Sequence, residues 1–341
     1  MTALRCIFGI WSGLFRPSRV TIRPALQLMT QRWLGAAGHQ SPITNSRVFG
    51  MASGYRIRPV AGVSCAGQAR QKSTEVLNSQ ENHMNTRFER SGPLTELSSY
   101  PQWAQDMVAD CQSTKQSVLD HELWAMMRDA TLDHVSMTHF MMGVWPFIER
   151  FPSYMALNLL KTRYGRSPGD DLARRWLVRN IRVEQNHAEY WLNWAEGAGV
   201  PREKILHSQP PHGTQTLANW CAEISSGGTL AAGIVATNYA IEGVTGEWSQ
   251  PIYESAVYAE SFPRKTRVGS LRWLQLHAAY DDVHPWEALE IVCTLMGTTP
   301  AVDEVAHLGE CVRRSYTSMR IVGDLCMRAH RHPMADAEAA A

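Results

Sequence analysis

The sequence predicts an all-α protein, a bundle of about seven helices, on three observations. From about residue 95 onward apolar residues recur at helical spacing, as in VLDHELWAMMRDA and DHVSMTHFMMGVWPFIERF. No segment alternates as a strand would over a useful length, and no internal repeat is present. Helix boundaries carry their own chemistry: Ser167 can cap a helix, Pro168 takes a first-turn position, acids follow, and Gly197 ends it.

The elements follow in order. Pro146 is expected to bend the helix containing MTHFMMGVW, and FPSYMALNLLKTRYG follows after a second proline, Pro152. SPGDDLARRWLVRNIRVEQNHAEYWLNWAEGAGV reads as one long helix. TLAAGIVATNYAIEGVTGEW, opened by Gly227 and Gly228, is a helix with an unusually apolar surface. Residues 266–284 make a further helix, which Pro285 kinks or ends, because proline disfavours helical geometry in the residue before it. VDEVAHLGECVRRSYTSMRIVGDLCMRAH closes the bundle as a long amphipathic helix.

Charge divides the chain. Of 33 Lys and Arg, ten lie in residues 1–74, which hold no acidic residue; the rest has 23 basic against 32 acidic side chains. That acidic body is not a general nucleic-acid binder. The basic stretch reads either as an organelle transit peptide or as an extension outside the native product, with Met84 where ordinary composition begins. The expected organisation is a disordered, acid-poor extension over 1–94, a helical domain over 95–330 and a disordered tail over 331–341. The longest membrane-like run, IFGIWSGLF, is too short to span a bilayer. Seven cysteines without a CxxC fit a reducing compartment, hence a cytoplasmic body.

Three places put metal-ligand chemistry on core helices. In LHAAYDDVHPWEA, residues 276–288, a continued helix would set His277, Asp281 and His284 within about 60° of one another and turn Asp282 away. Glu184 and His187 lie three apart. Glu242 stands in a segment otherwise filled with Ala, Ile, Val and Gly, where an ionised carboxylate needs a partner: an Arg, a proton or a metal. Three carboxylates and three imidazoles are what two ferrous ions need with positions left open for oxygen; zinc alone needs three or four ligands.

The order Glu-x2-His, then a core Glu, then His-x3-Asp-x2-His resembles the haem-oxygenase-like di-iron oxidases, which share the seven-helix fold of the thiaminase II and pyrroloquinoline-quinone synthase superfamily. The resemblance covers roughly residues 115–330. It implies a seven-helix haem-oxygenase-like bundle with Glu184, His187, Glu242, His277, Asp281 and His284 as ligands to two Fe2+ ions per chain. It also implies oxygen activation through a peroxide-bridged diferric pair. Two outcomes follow: N-oxygenation of an amino-acid-derived amine in specialised metabolite synthesis, placed first, or oxidative C–C cleavage of an amino or fatty acid. The expected partners are that small molecule and O2, with no nucleic acid and no membrane; an external electron donor and a homodimer fit the reading.

Rival readings use other residues. Glu304-x2-His307 is a second Glu-x2-His, and with Glu184 and His187 it would give a ferritin-like centre. Metal-free thiaminase-type chemistry needs an activated thiol, for which Cys221 and Cys293 are the candidates. Haem would need His121, His134 or His139 as an axial ligand. Tyr239 and Tyr280 are close enough in sequence to hydrogen-bond ligands. Trp248, Trp273 and the Met-rich run read as core that also lines a cavity, and Arg179 and Arg182 could hold a carboxylate.

Overall fold

The computed structural model describes residues 87–280 and 283–331, and every regular element among them is helical. α1 (Gln102–Leu119) and α2 (Glu122–Arg128) lead into α3 (His134–Lys161), α4 (Pro168–Glu184), α5 (His187–Gly197), α6 (Arg202–His207) and α7 (Thr216–Gly227). Then come α8 (Leu230–Ile234), a π-helical turn (Val235–Ile241) and α9 (Glu242–Tyr253) as one unbroken run. α10 (Ala256–Glu260), α11 (Arg267–Ser270), α12 (Arg272–Tyr280), α13 (His284–Met296) and α14 (Val302–Arg331) complete the bundle. With the α8–π-turn–α9 run counted once and the four-residue α11 left out, the described residues hold twelve helices rather than seven, because short helices fill the connections between the long ones. No described helix is long and apolar enough to cross a membrane.

α3 is the central post. Asp133 caps it, accepting hydrogen bonds from the Val135 and Ser136 amides at 2.8 and 3.0 Å. The helix continues through Pro146 and Pro152, so the expected break at Pro152 does not occur. Each proline removes one backbone bond, but Phe147, Ile148, Phe151, Tyr154 and Met155 are all buried, and that packing holds the run together. α3 packs on α4, α7 and α14, while α14 also lies along α1 and the π-turn. Phe88 is buried and stacks on Tyr100 at 6.0 Å, so contacts with the bundle begin ahead of α1.

Two expected helices are interrupted where chemistry is concentrated. The run from Pro168 breaks at residues 185–186, so Glu184 ends α4 and His187 opens α5. Likewise α12 ends at Tyr280 and α13 opens at His284, with Pro285 at its first turn. His277 and His284 therefore do not share a stripe on one helix; they come from two helices. Asp281 and Asp282, together with the Tyr280 side chain, lie outside the described residues, as do Cys6, Cys65 and most of the expected N-terminal extension and C-terminal tail.

Candidate metal centre

The five described candidates converge from five helix termini or turns. Glu184 is buried at the end of α4 and pairs with the His187 Nδ1 at the start of α5 across the two-residue break. Glu242 is buried where the π-turn hands over to α9. A π-turn inserts a residue into helical register and recurs at functional sites; here its residue Asn238 donates from Nδ2 to Glu242 Oε2 at 2.8 Å. The other oxygen of Glu242 faces His284 Nδ1 at 3.8 Å. The rings of His187 and His277 lie 4.9 Å apart, and α12, which carries His277, packs along α9.

Burial makes these charges unhappy alone. It raises the pKa of Glu242; the hydrogen bond from His284 opposes this, and the charge of Glu184 adds to the rise. Burial pulls His284 down, but Glu242, by hydrogen bond and charge, with Glu287 and Glu184 behind it, carries it above the ordinary value. His277 is held well below its ordinary value by burial and by the charge of His187. Its Nδ1 stands 2.8 Å from the Trp273 carbonyl oxygen, which can only accept, so the proton sits on Nδ1 and the Nε2 lone pair is free.

Behind these candidates, Trp176 packs edge-on to His284, and Glu287 accepts from both Trp176 Nε1 at 2.7 Å and Arg179. Arg179 is thus already engaged, and Arg182 is exposed. Of the three options for Glu242, an arginine partner does not occur among the described residues; its partners are Asn238 and His284.

Glu184, His187, Glu242 and His277 line part of a partly open, largely apolar cavity. Phe140, Val144, Phe147, Ile148 and Phe151 run along one stripe of α3 and form another part of its wall. Trp124, Trp248, Trp273, Leu217, Ile241, Met319 and Val322 close most of the rest, and Thr245 is the remaining polar lining side chain. Trp248 and Trp273 accordingly line the cavity as well as fill the core. A second hollow, lined by Asn186, Tyr190, Arg272 and Leu276, also borders Glu184, His187, His277 and His284.

The donor set suits a divalent metal. Two buried carboxylates repel each other, and one buried imidazole presents an unprotonated nitrogen; a cation between them relieves both conditions. Among the described residues no three such side chains are already drawn into a metal-sized cluster; the approaches are pairwise, and Asp281 is not described.

The rival sets are dispersed. Glu304 and His307 are exposed, Glu304 capping the Ala301 amide and His307 facing Cys311, so no ferritin-like centre forms with them. None of the described cysteines lines the cavity. Cys221 and Cys293 are buried, and burial raises their thiols far from thiolate character. His121 caps α2 and pairs with Asp324, His134 meets the Gly199 carbonyl, His139 meets that of Val135, and none lines the cavity. Tyr239 lines a different pocket beside Lys115 and Glu247. Phe140 and Val144, in the Met-rich run expected to line a cavity, do line it, whereas Phe147, Ile148, Phe151 and the Asn238 clamp were missed in sequence, although an asparagine one turn before Glu242 was a visible sign.

The fold and site define a helical bundle with a carboxylate- and histidine-lined apolar cavity. The profile of a family described as iron-containing redox enzymes, of haem-oxygenase type, matches residues 138–316, and the chain belongs to that family. A solved TenA homolog from Pseudomonas syringae pv. tomato is 50% identical, with a TM-score of 0.70, covering 71% of this chain and 99% of its own. A domain of unknown function with a haem oxygenase-like fold from Shewanella denitrificans is 15% identical, with a TM-score of 0.55, covering 67% and 93%. A TenA homologue from Pyrococcus furiosus, also 15% identical, has a TM-score of 0.54 and covers 66% and 100%. These last two share the fold. No curated protein matches the chain.

Proposed function

We propose that the chain is an iron- and O2-dependent enzyme that cleaves the terminal C–C bond of a straight-chain fatty acid, releasing the carboxyl carbon as CO2. The observation that carries this is the cavity: its lining combines the carboxylates and imidazoles of Glu184, His187, Glu242 and His277 with side chains that are otherwise apolar apart from Thr245. A fatty acid brings one charged end and a tail that needs no partner. An amino-acid-derived amine brings further polar groups, and the apolar walls offer them no partner, which is costly. This reverses the order of the two outcomes that the family resemblance offers.

The stripe from Phe140 to Phe151 follows α3 for about 16 Å at a rise of about 1.5 Å per residue. With C–C bonds of about 1.5 Å at near-tetrahedral angles, roughly a dozen carbons fill that length.

Glu184, His187, Glu242, His277, Asp281 and His284 would hold two ferrous ions. Iron bound there would supply the electrons that activate O2 and the oxidising power directed at the substrate. The chain's own side chains do the rest. Asn238 orients Glu242, and the Trp273 carbonyl fixes the tautomer and rotation of His277. Glu287 and Arg179 hold Trp176 against His284. The α3 stripe aligns the tail so that its carboxyl end meets the ligand wall, and the apolar lining excludes water.

The test is anaerobic loading with ferrous iron, then O2 together with carboxyl-labelled fatty acids of graded length or amines of similar size. Labelled CO2 and a product one carbon shorter, with a preference for mid-length chains, are expected. Oxygen-dependent N-oxygenation of the amines without CO2 from any fatty acid would sink this reading.

A further inference from the structure

A line of aromatic rings runs from the candidate centre through Trp273, which itself lines the substrate cavity, to a separate pocket. The Trp273 ring stacks on His277 with centroids 3.7 Å apart at 27°, and its carbonyl accepts the His277 Nδ1 proton. Trp194 stacks on Trp273 at 5.3 Å and 17°. Trp194 Nε1 donates to Tyr258 Oη at 2.8 Å. Tyr258 lines a separate pocket whose rim includes the exposed Ala130, His134 and Ser261. A second branch runs from Trp273 through Trp248 at 5.8 Å to Trp124 at 4.2 Å, but both of these line the substrate cavity. Of these two branches the one through Trp194 leads to a different pocket; on the other flank of the site, His187 has Tyr190 at 6.2 Å beside the second hollow.

We propose that Trp273, Trp194 and Tyr258 form an electron-transfer chain that drains an oxidising equivalent from the metal centre when the cavity holds no substrate. The proposal rests on the iron reading above. Indole and phenol are the side chains most readily oxidised by one electron at these contact distances, short of thiols. Trp273 gives one electron to the oxidised centre, which is thereby reduced by one. Its buried indole N–H has no hydrogen-bond partner among the described residues, so the oxidised ring keeps its proton and remains a strong oxidant. Trp194 refills it, and Tyr258 refills Trp194 while its phenolic proton passes to solvent through the pocket. A small-molecule thiol then returns a hydrogen atom to the tyrosyl radical, and two such thiyl products couple as a disulfide. The hydrogen bond between Trp194 and Tyr258 gives the chain its direction: it couples the last transfer to a group beside an open pocket, which the cavity branch lacks.

The experiment uses the full chain loaded with ferrous iron, with iron content measured, then exposed to O2 without fatty acid or thiol. Freeze-quenched samples are read by electron paramagnetic resonance, and oxidised side chains are mapped by peptide mass spectrometry. The expected result is a tyrosyl signal whose width changes in protein grown on ring-deuterated tyrosine, with oxygen added at Tyr258 and Trp194. In Trp194→Phe the tyrosyl signal is lost and damage retreats to Trp273 and Trp248, with iron content unchanged. In Tyr258→Phe, which keeps the ring volume and tests the chain if Trp194→Phe misfolds, the radical becomes tryptophanyl. Iron binding and O2 uptake with damage confined to Trp248, Trp124 or the ligands overturns the chain alone. Failure to bind iron overturns the chain together with the iron reading.

Discussion

Replacing Glu242 by Gln separates a metal ligand from a structural carboxylate. In the wild type this buried carboxylate is raised by burial and by the charge of Glu184, and its own contacts are Asn238 at 2.8 Å and His284 at 3.8 Å. Gln keeps an oxygen for the Asn238 donor and removes the repulsion, so the metal-free variant should be at least as stable as the wild type. The opposite holds with metal. Iron at about a hundred times its Kd stabilises the wild type by about 2.7 kcal/mol. For a domain of this size that is a rise in Tm of roughly 5–11 °C. The assay is anaerobic thermal melting with and without ferrous iron. The wild type should rise by that amount, and Glu242→Gln should rise little or not at all. An equal rise in both, or a metal-free variant several degrees less stable, would refute the argument that Glu242 is held in place for a cation.

Three further outcomes follow. Val144→Trp, in the middle of the α3 stripe, should shift the preferred fatty acid to shorter chains and leave iron content unchanged; an unaltered length profile, measured by competition among labelled acids, counts against the tail lying on that stripe. Glu304→Ala and His307→Ala, both exposed, should leave iron content at the wild-type value by elemental analysis, whereas loss of half the iron would revive a ferritin-like centre. Asp133→Ala should cost about 0.5–2 kcal/mol in urea melts through the lost α3 cap. Burial works against the Asp133 carboxylate, yet His330 and the Ser136 and Val135 amides hold its pKa down at about 2. Its stabilisation is therefore complete above the ordinary value of 3.8 and fades as pH falls toward 2. Asp133→Asn should keep most of the cap while removing that acid-side loss; a loss of the same size in the Asn variant assigns it to another group.

The all-α class was legible because helical periodicity survives over every long element, and Ser167 and Pro168 start α4 as their chemistry requires. The interruption at residues 185–186 was not legible, since Gln and Asn there carry no breaker signal and the flanking pattern is continuous. Pro152 misled in the other direction: a proline inside α3 is tolerated because the turns on both sides are buried. Glu242 could be found because a carboxylate among Ala, Ile and Val is anomalous, and it is buried beside His284. The relation of His277 to His284 was misjudged, as spacing alone cannot say where one helix stops and the next begins. The cavity was legible in part: Trp248, Trp273 and the run holding Phe140 and Val144 were read as lining one, but its extension along α3 was not. Whether Phe147 faces a neighbour or a void depends on how whole helices pack, and the residues read the same in either case.

The π-turn at Val235–Ile241 constrains how the gene for this chain can change. Deleting any one residue of that turn would let the run from Leu230 to Tyr253 close into an ordinary helix without spoiling its composition. Because the turn absorbs its extra residue locally, the helix beyond it would keep its facing and Glu242 its wall. A deletion between Asn238 and Glu242 would instead shorten their spacing from four residues to three and upset the hydrogen bond that orients the carboxylate. What the extra residue fixes is thus the setting of one buried side chain, not the path of the helix.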